Sequence, residues 1–288
     1  MEKIALIADS TCGLPQEYID KYNIHIVGLK IIYKNEEYID GVNITPKEVY
    51  SRLEEELPTT SMPSVDDVIT LYEKLVTEGY THAIVLPISS GLSGTINSFR
   101  LGSQEFDDKI KSFIYDTKIL SMAVGLSVIE VGKLIEEGKS FEYICDIIPK
   151  FRENTEMYFT VDTLEYLIKG GRIGKITGGV GQLLNLKPII KMSDEGTYTT
   201  HCKVRGSKKA FNELVKLVSD ILDSSKGKVV IMTGTMHDEA QKLKEIFSAH
   251  DNTEFIYSGL ITPAIGIHSG PQILGIAVMK NLDTNKFV

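Results

Sequence analysis

Short runs of aliphatic and β-branched residues alternate with longer amphipathic segments through the first half of the chain. The runs KIALIAD, IHIVGLKIIY, HAIVLPIS and KSFIYDT have the length and composition of buried strands. Helical periodicity begins near Pro46, Val65, Ser93 and Lys118. Residues 64–67 resemble a capping box with an aspartate at its third helical position. This alternation predicts a mostly parallel sheet flanked by helices.

The second half keeps the strand signals but connects them differently. Its strand candidates are MYFTVDT, KPIIKMS, TYTTHCKV, KVVIMTGT, EFIYSGL and ILGIAVM, with helices near residues 208–223 and 236–249. Because only DEGT separates two of these strands, they are predicted to form a hairpin, which makes the second sheet mixed. We therefore expect an α/β protein of two domains, residues 1–152 and residues 153–288, divided where pattern and charge change.

Length and composition exclude several classes of protein. A chain of 288 residues can bury two moderate cores, and its net charge of −8 argues against nucleic acid as a partner. The three cysteines show neither C-x-x-C nor Cys/His spacing, so we expect no disulfide framework, metal site or cofactor. Signal-peptide features and an apolar run of the ~18 residues that a membrane helix needs are both absent from the sequence. We expect a cytoplasmic location and no integral membrane segment, although transient membrane contact stays compatible with the sequence.

Basic residues are concentrated in one part of the second half. Residues 169–209 contain nine lysines and arginines but two acids, whereas residues 1–150 contain 14 basic against 24 acidic residues. A charge run of this kind is often only a solvated face. It also suits the docking of an acidic partner. Both interpretations stay open on charge alone.

Polar motifs follow three strands of the predicted parallel sheet, at residues 9–11, 89–95 and 116–117. The carboxyl ends of parallel strands meet at one edge of a sheet, so these motifs are expected to converge. A loop of serines and glycines entering a helix offers N–H and hydroxyl donors at the positive end of the helix dipole. It therefore suits a carboxylate or phosphate, although Ser89 and Ser90 could simply cap the helix.

Three familiar enzyme templates fail at single positions. GLSG lacks the last glycine of G-x-S-x-G, because Thr95 occupies that position. In GGRIGKITGG, Lys169 stands where a phosphate loop needs glycine, and GGVGQLL fails the dinucleotide fingerprint. Without further information, His268 in PAIGIHSGP would be interpreted as a hydrogen-bonded core residue. The other five histidines are interpreted as structural.

Six motifs together resemble the DegV family of bacterial fatty-acid-binding proteins. In chain order they are DSTCGLP, TTSMPS, SSGLSGT, DTLEYLIKGGRIGK, KVRGSKKA and IGIHSGP. The sequence departs from the family pattern at Gly13, Met62 and Gln272. None of these departures removes a hydroxyl or the histidine, but Gln272 could alter the loop that positions His268.

The resemblance implies a two-domain α/β protein that buries a long-chain fatty acid between its domains. It further implies a carrier without catalytic activity of its own, which presents the acid to a separate ATP-binding kinase subunit for acyl-phosphate formation in phospholipid synthesis. Six residues would bind the ligand carboxylate: Thr60, Ser61, Ser93, Gly94, Thr95 and His268. Three basic residues would lie near the head group or dock the kinase: Arg172, Lys203 and Arg205. The competing hypothesis is a serine hydrolase or acyltransferase with Ser93 as nucleophile and His268 as base.

Overall fold

The computed structural model describes residues 2–176 and 186–282. Within these ranges the strands are β1 (Ile4–Asp9), β2 (Ile24–Val27), β3 (Lys30–Ile32), β4 (Glu37–Ile39), β5 (Thr59–Ser61), β6 (His82–Leu86), β7 (Lys111–Ile114), β8 (Thr155–Val161), β9 (Leu186–Met192), β10 (Tyr198–Arg205), β11 (Gly227–Thr233), β12 (Thr253–Leu260) and β13 (Ile273–Lys280). The α-helices are α1 (Gln16–Lys21), α2 (Pro46–Arg52), α3 (Val65–Thr77), α4 (Thr95–Ser103), α5 (Met122–Glu136), α6 (Phe141–Glu153), α7 (Glu165–Lys169), α8 (Ser207–Leu222), α9 (His237–Ser248) and α10 (Pro263–Ser269).

Four parallel strands form the first sheet, in the order β2-β1-β6-β7. Its central strands are buried on both faces. Ala5 and Ile7 pack with helices α3 and α4, whereas Leu6 and Ala8 pack with α5 and α6. Burial on both faces explains why these strands appear in the sequence as continuous apolar runs. The predicted parallel sheet is confirmed.

Helix starts follow local capping chemistry. The Ser64 hydroxyl accepts from the Asp67 N–H at 3.1 Å, and the Asp67 carboxylate accepts from the Ser64 N–H at 2.8 Å. This reciprocal pair confirms the predicted capping box at α3. Helix α5 begins at Met122 rather than near Lys118, because Lys118 and Ser121 have φ values of 54° and 57°, outside the helical region.

A small antiparallel sheet, β4-β3-β5, was not predicted. The run IHIVGLKIIY was predicted as one strand, but it divides into β2, which joins the first sheet, and β3, which joins the small one. Gly28 lies at this division, where a Cβ atom would stand 2.3 Å from the Ile39 Cγ2 atom. The single-strand prediction was therefore wrong, because the chain changes sheets at Gly28.

Six strands form the second sheet, in the order β10-β9-β8-β13-β11-β12. Strands β11 and β12 are parallel, and the other neighbours are antiparallel. The hairpin β9-β10 confirms the prediction made from DEGT, and the sheet is mixed as expected. Helices α8 and α9 cover one face, and α5 packs against the other.

The largest hydrophobic cluster contains residues from both large sheets. Leu6 and Ile84 of the first sheet join Phe159 and Met232 of the second, with Val124 of α5 in the same cluster. The predicted boundary at residue 152 falls one residue before α6 ends, and it stays a prediction. Among the described residues, none of the helices has both the length and the apolarity to cross a bilayer.

Candidate functional site

A polar cavity lies where the first sheet, the small sheet and helix α10 meet. The main polar and charged groups of this cavity come from four residues: Thr60 of β5, Ser93 before α4, Arg172 after α7 and His268 of α10. The remaining lining residues are Thr11, Leu29, Ile88, Leu92, Leu120, Tyr198, Ala264 and Ile265. The cavity therefore combines hydroxyls, one imidazole and one guanidinium with apolar walls.

Thr60 and His268 are in direct contact, although 208 positions separate them along the chain. The Thr60 Oγ1 atom lies 2.6 Å from the His268 Nε2 atom. Neither strand β5 nor helix α10 was predicted, so no local pattern provided a geometric reason to pair these residues. Only the motifs of the family resemblance brought them together.

Ser93 lies in the turn that enters helix α4. Its N–H donates to the Ser89 carbonyl at 3.1 Å, and its hydroxyl lies 2.8 Å from the Thr95 hydroxyl. Gly94 is the N-cap residue of α4 and provides no side-chain cap. Ser93 lines the cavity, whereas Thr95, the hydrogen-bond partner of its hydroxyl, is fully buried.

Arg172 connects the loop after α7 to the loop before α4. Its guanidinium donates to the Gly170 carbonyl at 2.5 Å and to the Leu92 carbonyl at 3.3 Å. Gly170 also packs closely against the imidazole, because a Cβ atom there would stand 2.1 Å from the His268 Nδ1 atom. Gly170, the first glycine of KGGRIGK, thus allows the loop and the histidine to approach each other.

Burial controls the charge of His268. Desolvation, with a smaller contribution from the positive charge of Arg172, lowers the pKa of His268 to about 4. The imidazole is consequently neutral at pH 7. The Arg172 guanidinium is then the positive charge that the cavity offers to an anion.

Two buried carboxyl groups, of Asp9 and Asp40, hold together the segments that surround the polar cavity. Asp40 accepts from the Ser10 hydroxyl at 2.7 Å and from the Ala264 N–H, in the first turn of α10, at 2.9 Å. Desolvation raises the pKa of Asp40 to about 6. Asp9 accepts from the Ile88 N–H at 2.6 Å, and desolvation raises the pKa of Asp9 as well. These acids tie α10 and the loop after β6 to the end of β1.

An apolar cavity adjoins the polar one. Leu120, Tyr198 and Ile265 line both cavities, so the two spaces meet at these side chains. The rest of the apolar lining comes from β8, β11, β13, the start of α5 and the residue after β12: Ser121, Met122, Ala123, Met157, Phe159, Val230, Met232, Ile261, Ile273, Gly275, Ile276 and Ala277. Each cavity has a volume of about 40 Å³, so a long tail enters only when the side chains between the two sheets move apart. Side by side, the two linings offer polar groups next to an apolar surface, the combination that suits an amphipathic molecule.

The sequence-predicted site residues separate into three groups. Four line the polar cavity: Thr60, Ser93, Arg172 and His268. Three are neighbours of those residues in the chain but do not line the cavity: Ser61, Gly94 and Thr95. Lys203 and Arg205 are exposed on β10 and line neither cavity. Sequence reasoning missed Asp40 and the apolar lining, which carry no signal that distinguishes them from other core residues.

Ser89 and Ser90 do not cap helix α4, contrary to the simpler interpretation of the sequence. The Ser89 hydroxyl donates to the Gly196 carbonyl at 2.7 Å, and Ser90 donates to Asp116 through both its N–H and its hydroxyl. The motifs at residues 89–95 and 116–117 are therefore adjacent, as predicted for the edge of a parallel sheet. The contact with Gly196 joins this edge to the hairpin of the second sheet.

Within the described ranges, one group of side chains has metal-ligating atoms close together. Ligand atoms of His201, Cys202 and Glu213 all lie within 4.8 Å of one another. The register of β10 shifts between Thr200 and Cys202, so two successive residues can face α8. Sequence spacing did not reveal this group, and none of its members lines the two cavities.

The fold is that of an α/β protein with a polar and an apolar cavity side by side between its sheets. The family model described as "Uncharacterised protein, DegV family" matches residues 3–281. A DegV domain-containing protein of Clostridium acetobutylicum is 49% identical over 280 residues, which are 97% of this chain and 100% of that protein. The chain belongs to the DegV family.

Solved structures of similar proteins share this fold over nearly the whole chain. A fatty-acid-binding DegV family protein from Thermus thermophilus superposes with a TM-score of 0.90 at 31% identity, covering 97% of this chain and 100% of that one. DegV from Bacillus subtilis, a fatty-acid-binding protein, also has a TM-score of 0.90 at 29% identity, covering 98% and 100%. Fatty-acid binding is thus a property of structural neighbours within the family.

Proposed function

We propose that this protein binds one long-chain fatty acid and presents its carboxyl group to a partner kinase. The position of the polar cavity next to the apolar one, with Leu120, Tyr198 and Ile265 lining both, is the observation that supports this proposal most directly. The apolar cavity receives the hydrocarbon tail, and the polar cavity receives the carboxyl group. The fatty-acid-binding relatives support the same ligand class.

The tail supplies the affinity in this proposal. Each buried methylene contributes about 0.8 kcal/mol, so a tail of roughly 14 methylenes contributes on the order of 11 kcal/mol before the costs of binding. A carboxylate inside a protein must be hydrogen-bonded to avoid a penalty of several kcal/mol. The polar cavity therefore determines the position of the head group, whereas the tail supplies most of the binding free energy.

Each polar residue has a distinct role in binding the head group. The hydroxyls of Thr60 and Ser93 donate to the carboxylate, and Arg172 compensates its charge. His268 is neutral at pH 7, so its imidazole orients the carboxylate through Thr60 without adding a second cation. Ser61 at the end of β5, and Gly94 and Thr95 at the start of α4, lie next to these groups in the chain and help to position them.

The kinase part of the proposal depends on exposed basic residues. Lys203 and Arg205 lie on β10, which is the edge strand of the second sheet. Exposed cations on an edge strand also protect it from unwanted pairing. Their charge equally suits an acidic partner surface, which steers association and fixes orientation. The ATP-binding partner, acyl-phosphate formation and a cytoplasmic location belong to this proposal.

The hydrolase alternative is not favoured by the site. The Ser93 hydroxyl contacts Thr95, and the His268 Nε2 atom contacts Thr60. Among the described residues, the buried His268 Nδ1 atom has no hydrogen-bond partner, so no carboxylate orients the ring as a catalytic base requires.

Ser93→Ala distinguishes the carrier from the hydrolase. In a carrier this change removes one donor to the carboxylate, so we expect binding to weaken by about 1–3 kcal/mol while the tail still binds. Isothermal titration with a long-chain fatty acid measures this loss. Ser90→Ala is the matched control, because Ser90 lies outside both cavities and bonds to Asp116.

A fluorophosphonate probe completes this comparison. The carrier should stay unlabelled, because Ser93 is not an activated nucleophile. Stoichiometric labelling at Ser93, with ester hydrolysis that disappears in Ser93→Ala, would contradict the carrier and support the hydrolase.

Arg205→Ala tests partner docking separately from lipid binding. We expect the fatty-acid affinity of this variant to stay within about twofold of wild type. Acyl-phosphate formation by the kinase should require a higher concentration of the variant than of wild type, and this difference should depend on the salt concentration. A titration of carrier against a fixed amount of kinase, at several salt concentrations, measures this effect. Arg100→Ala, an exposed arginine on α4, is the control. Equal kinetics for the wild type and Arg205→Ala would show that Arg205 on β10 does not take part in kinase docking.

A further inference from the structure

A cleft separate from the polar and apolar cavities lies on the face of the six-stranded sheet that is covered by α8 and α9. It has a volume of about 420 Å³ and shares no lining residue with the polar or apolar cavity described above. Strands β8, β10 and β11 run in the same direction, and the cleft lies at their carboxyl ends, where α8 and α9 begin. In open α/β sheets this edge is where ligands usually bind.

The N-terminus of α8 faces this cleft without a cap of its own. The helix has 16 residues, its N-cap residue is Gly206, and its first turn contains no acid. Ser207 and Lys208 of that turn line the cleft. A helix start normally has a serine, threonine or acidic side chain to satisfy its free N–H groups. Here those donors and the positive end of the helix dipole are available to an external anion.

Thr160 supplies an independent sign of a ligand. This residue of β8 is only 6% exposed, and it lines the cleft. In the part of the chain that the structure describes, its buried Oγ1 atom has no hydrogen-bond partner. A buried hydroxyl without a partner costs about 1–3 kcal/mol. A ligand with hydrogen-bonding groups in the cleft would offset that cost.

The charges and the floor of the cleft indicate the chemistry of the ligand. Lys187 is paired with Asp162. Two lysines, Lys208 and Lys242, and one acid, Glu239, also line the cleft and form no ion pair with any described residue, so the unpaired charge of the lining is positive. Compact ammonium groups beside free backbone N–H groups suit a phosphate. Phe211, Met236 and Leu274 add an apolar surface for an organic group. An inorganic anion would leave that surface without a partner.

We propose that this cleft binds a small phosphate monoester. The phosphate lies at the first turn of α8 and contacts Lys208 and Lys242, and the organic group covers the apolar floor. The Thr160 hydroxyl hydrogen-bonds to the ligand. This site is separate from the proposed fatty-acid site, so either proposal can fail without the other.

The test is a titration of ¹⁵N-labelled protein, followed by NMR. The probes are adenosine monophosphate, ribose 5-phosphate, inorganic phosphate and adenosine. We expect at least one phosphate ester to shift the amide signals of Ser207 and Lys208 at millimolar concentration or below. Inorganic phosphate should bind more weakly, and adenosine should leave the first turn of α8 unchanged. Absence of shifts with both esters up to about 10 mM, or equal binding of inorganic phosphate, would overturn the proposal.

Two lysine variants test the position of the phosphate. We expect Lys208→Ala and Lys242→Ala each to weaken binding of the ester about tenfold, as for the loss of one charge-assisted contact. Lys209→Ala is the matched control, because it removes the same charge from the same turn but Lys209 does not line the cleft. An equal loss in all three variants would show nonspecific charge attraction and would contradict a built site.

Thr160→Val supplies a readout that does not require the ligand. Valine keeps the shape of threonine but removes the buried hydroxyl, so the unliganded protein should be as stable as wild type or more stable. Binding of the ester should weaken several-fold in the same variant. A loss of stability without any loss of ester affinity would show that the hydroxyl has a partner within the protein and would count against the proposal.

Discussion

Gly275→Leu should weaken the binding of long-chain fatty acids by about 100-fold while the protein still folds. Gly275 lies on β13 and lines the apolar cavity. A Cβ atom at this position would meet its nearest neighbour, the Phe159 Cβ atom, at 3.5 Å, which is ordinary contact. The four added carbons therefore fill this cavity, whose volume is about 40 Å³, and take the place of part of the tail. At about 0.8 kcal/mol for each displaced methylene, the loss is about 3 kcal/mol.

Two comparisons make this result specific to the tail. Gly275→Ala adds one carbon and should lose only a small part of the affinity. Octanoate, whose tail occupies less of the cavity, should bind Gly275→Leu and wild type with similar affinity. Isothermal titration with palmitate and octanoate measures both effects. Unchanged palmitate affinity in a folded Gly275→Leu protein would show that the tail lies elsewhere.

His268→Gln should change how the stability of the protein depends on pH. The pKa of His268 is about 4 in the folded protein and about 6.5 in an unfolded chain. Between these values the unfolded state binds the proton more readily, so the wild type loses stability as pH falls from about 6.5 to 4. Glutamine does not titrate. The free energy of unfolding of the wild type should therefore fall by about 3 kcal/mol relative to the variant between pH 7 and pH 4.

The difference between the two proteins is the quantity to measure, because Asp40 acts in the opposite direction. The pKa of Asp40 is raised to about 6, so protonation of Asp40 in the folded state stabilises the protein as pH falls through that value. Subtraction removes this shared contribution. Chemical denaturation of fatty-acid-free wild type and His268→Gln at several pH values gives the comparison. A difference that stays constant between pH 7 and pH 4 would mean that His268 is not held neutral by burial.

The strands of the two large sheets and most helices were predictable because their signals are local. The central strands β1 and β6 contain the continuous apolar runs IALIA and AIVL, and Ser64 with Asp67 marks a helix start within four residues. Helix α10 was missed because Pro263–Ser269 contains small apolar residues buried on nearly every side, which leaves no amphipathic pattern. The exchange of sheets at Gly28 depends on Ile39, a contact that local sequence does not show.

The candidate site was only partly predictable for a related reason. Hydroxyls after strands indicated an anion site near residues 89–95, and Ser93 does line the polar cavity. The pairing of Thr60 with His268 depends on contacts across most of the chain, so it followed from the family resemblance alone. Residues that line the apolar cavity, such as Met232 and Ile276, have the same composition as residues that fill a core. Only the packing of the two sheets distinguishes them.

Native mass spectrometry of freshly purified protein tests the central claim most directly. We expect a complex with one long-chain fatty acid, which is released as a free acid on denaturation and identified after extraction. Gly275→Leu, purified in parallel, should carry less of it. Protein that is folded, carries no lipid and gains no thermal stability from added long-chain fatty acids would contradict the account.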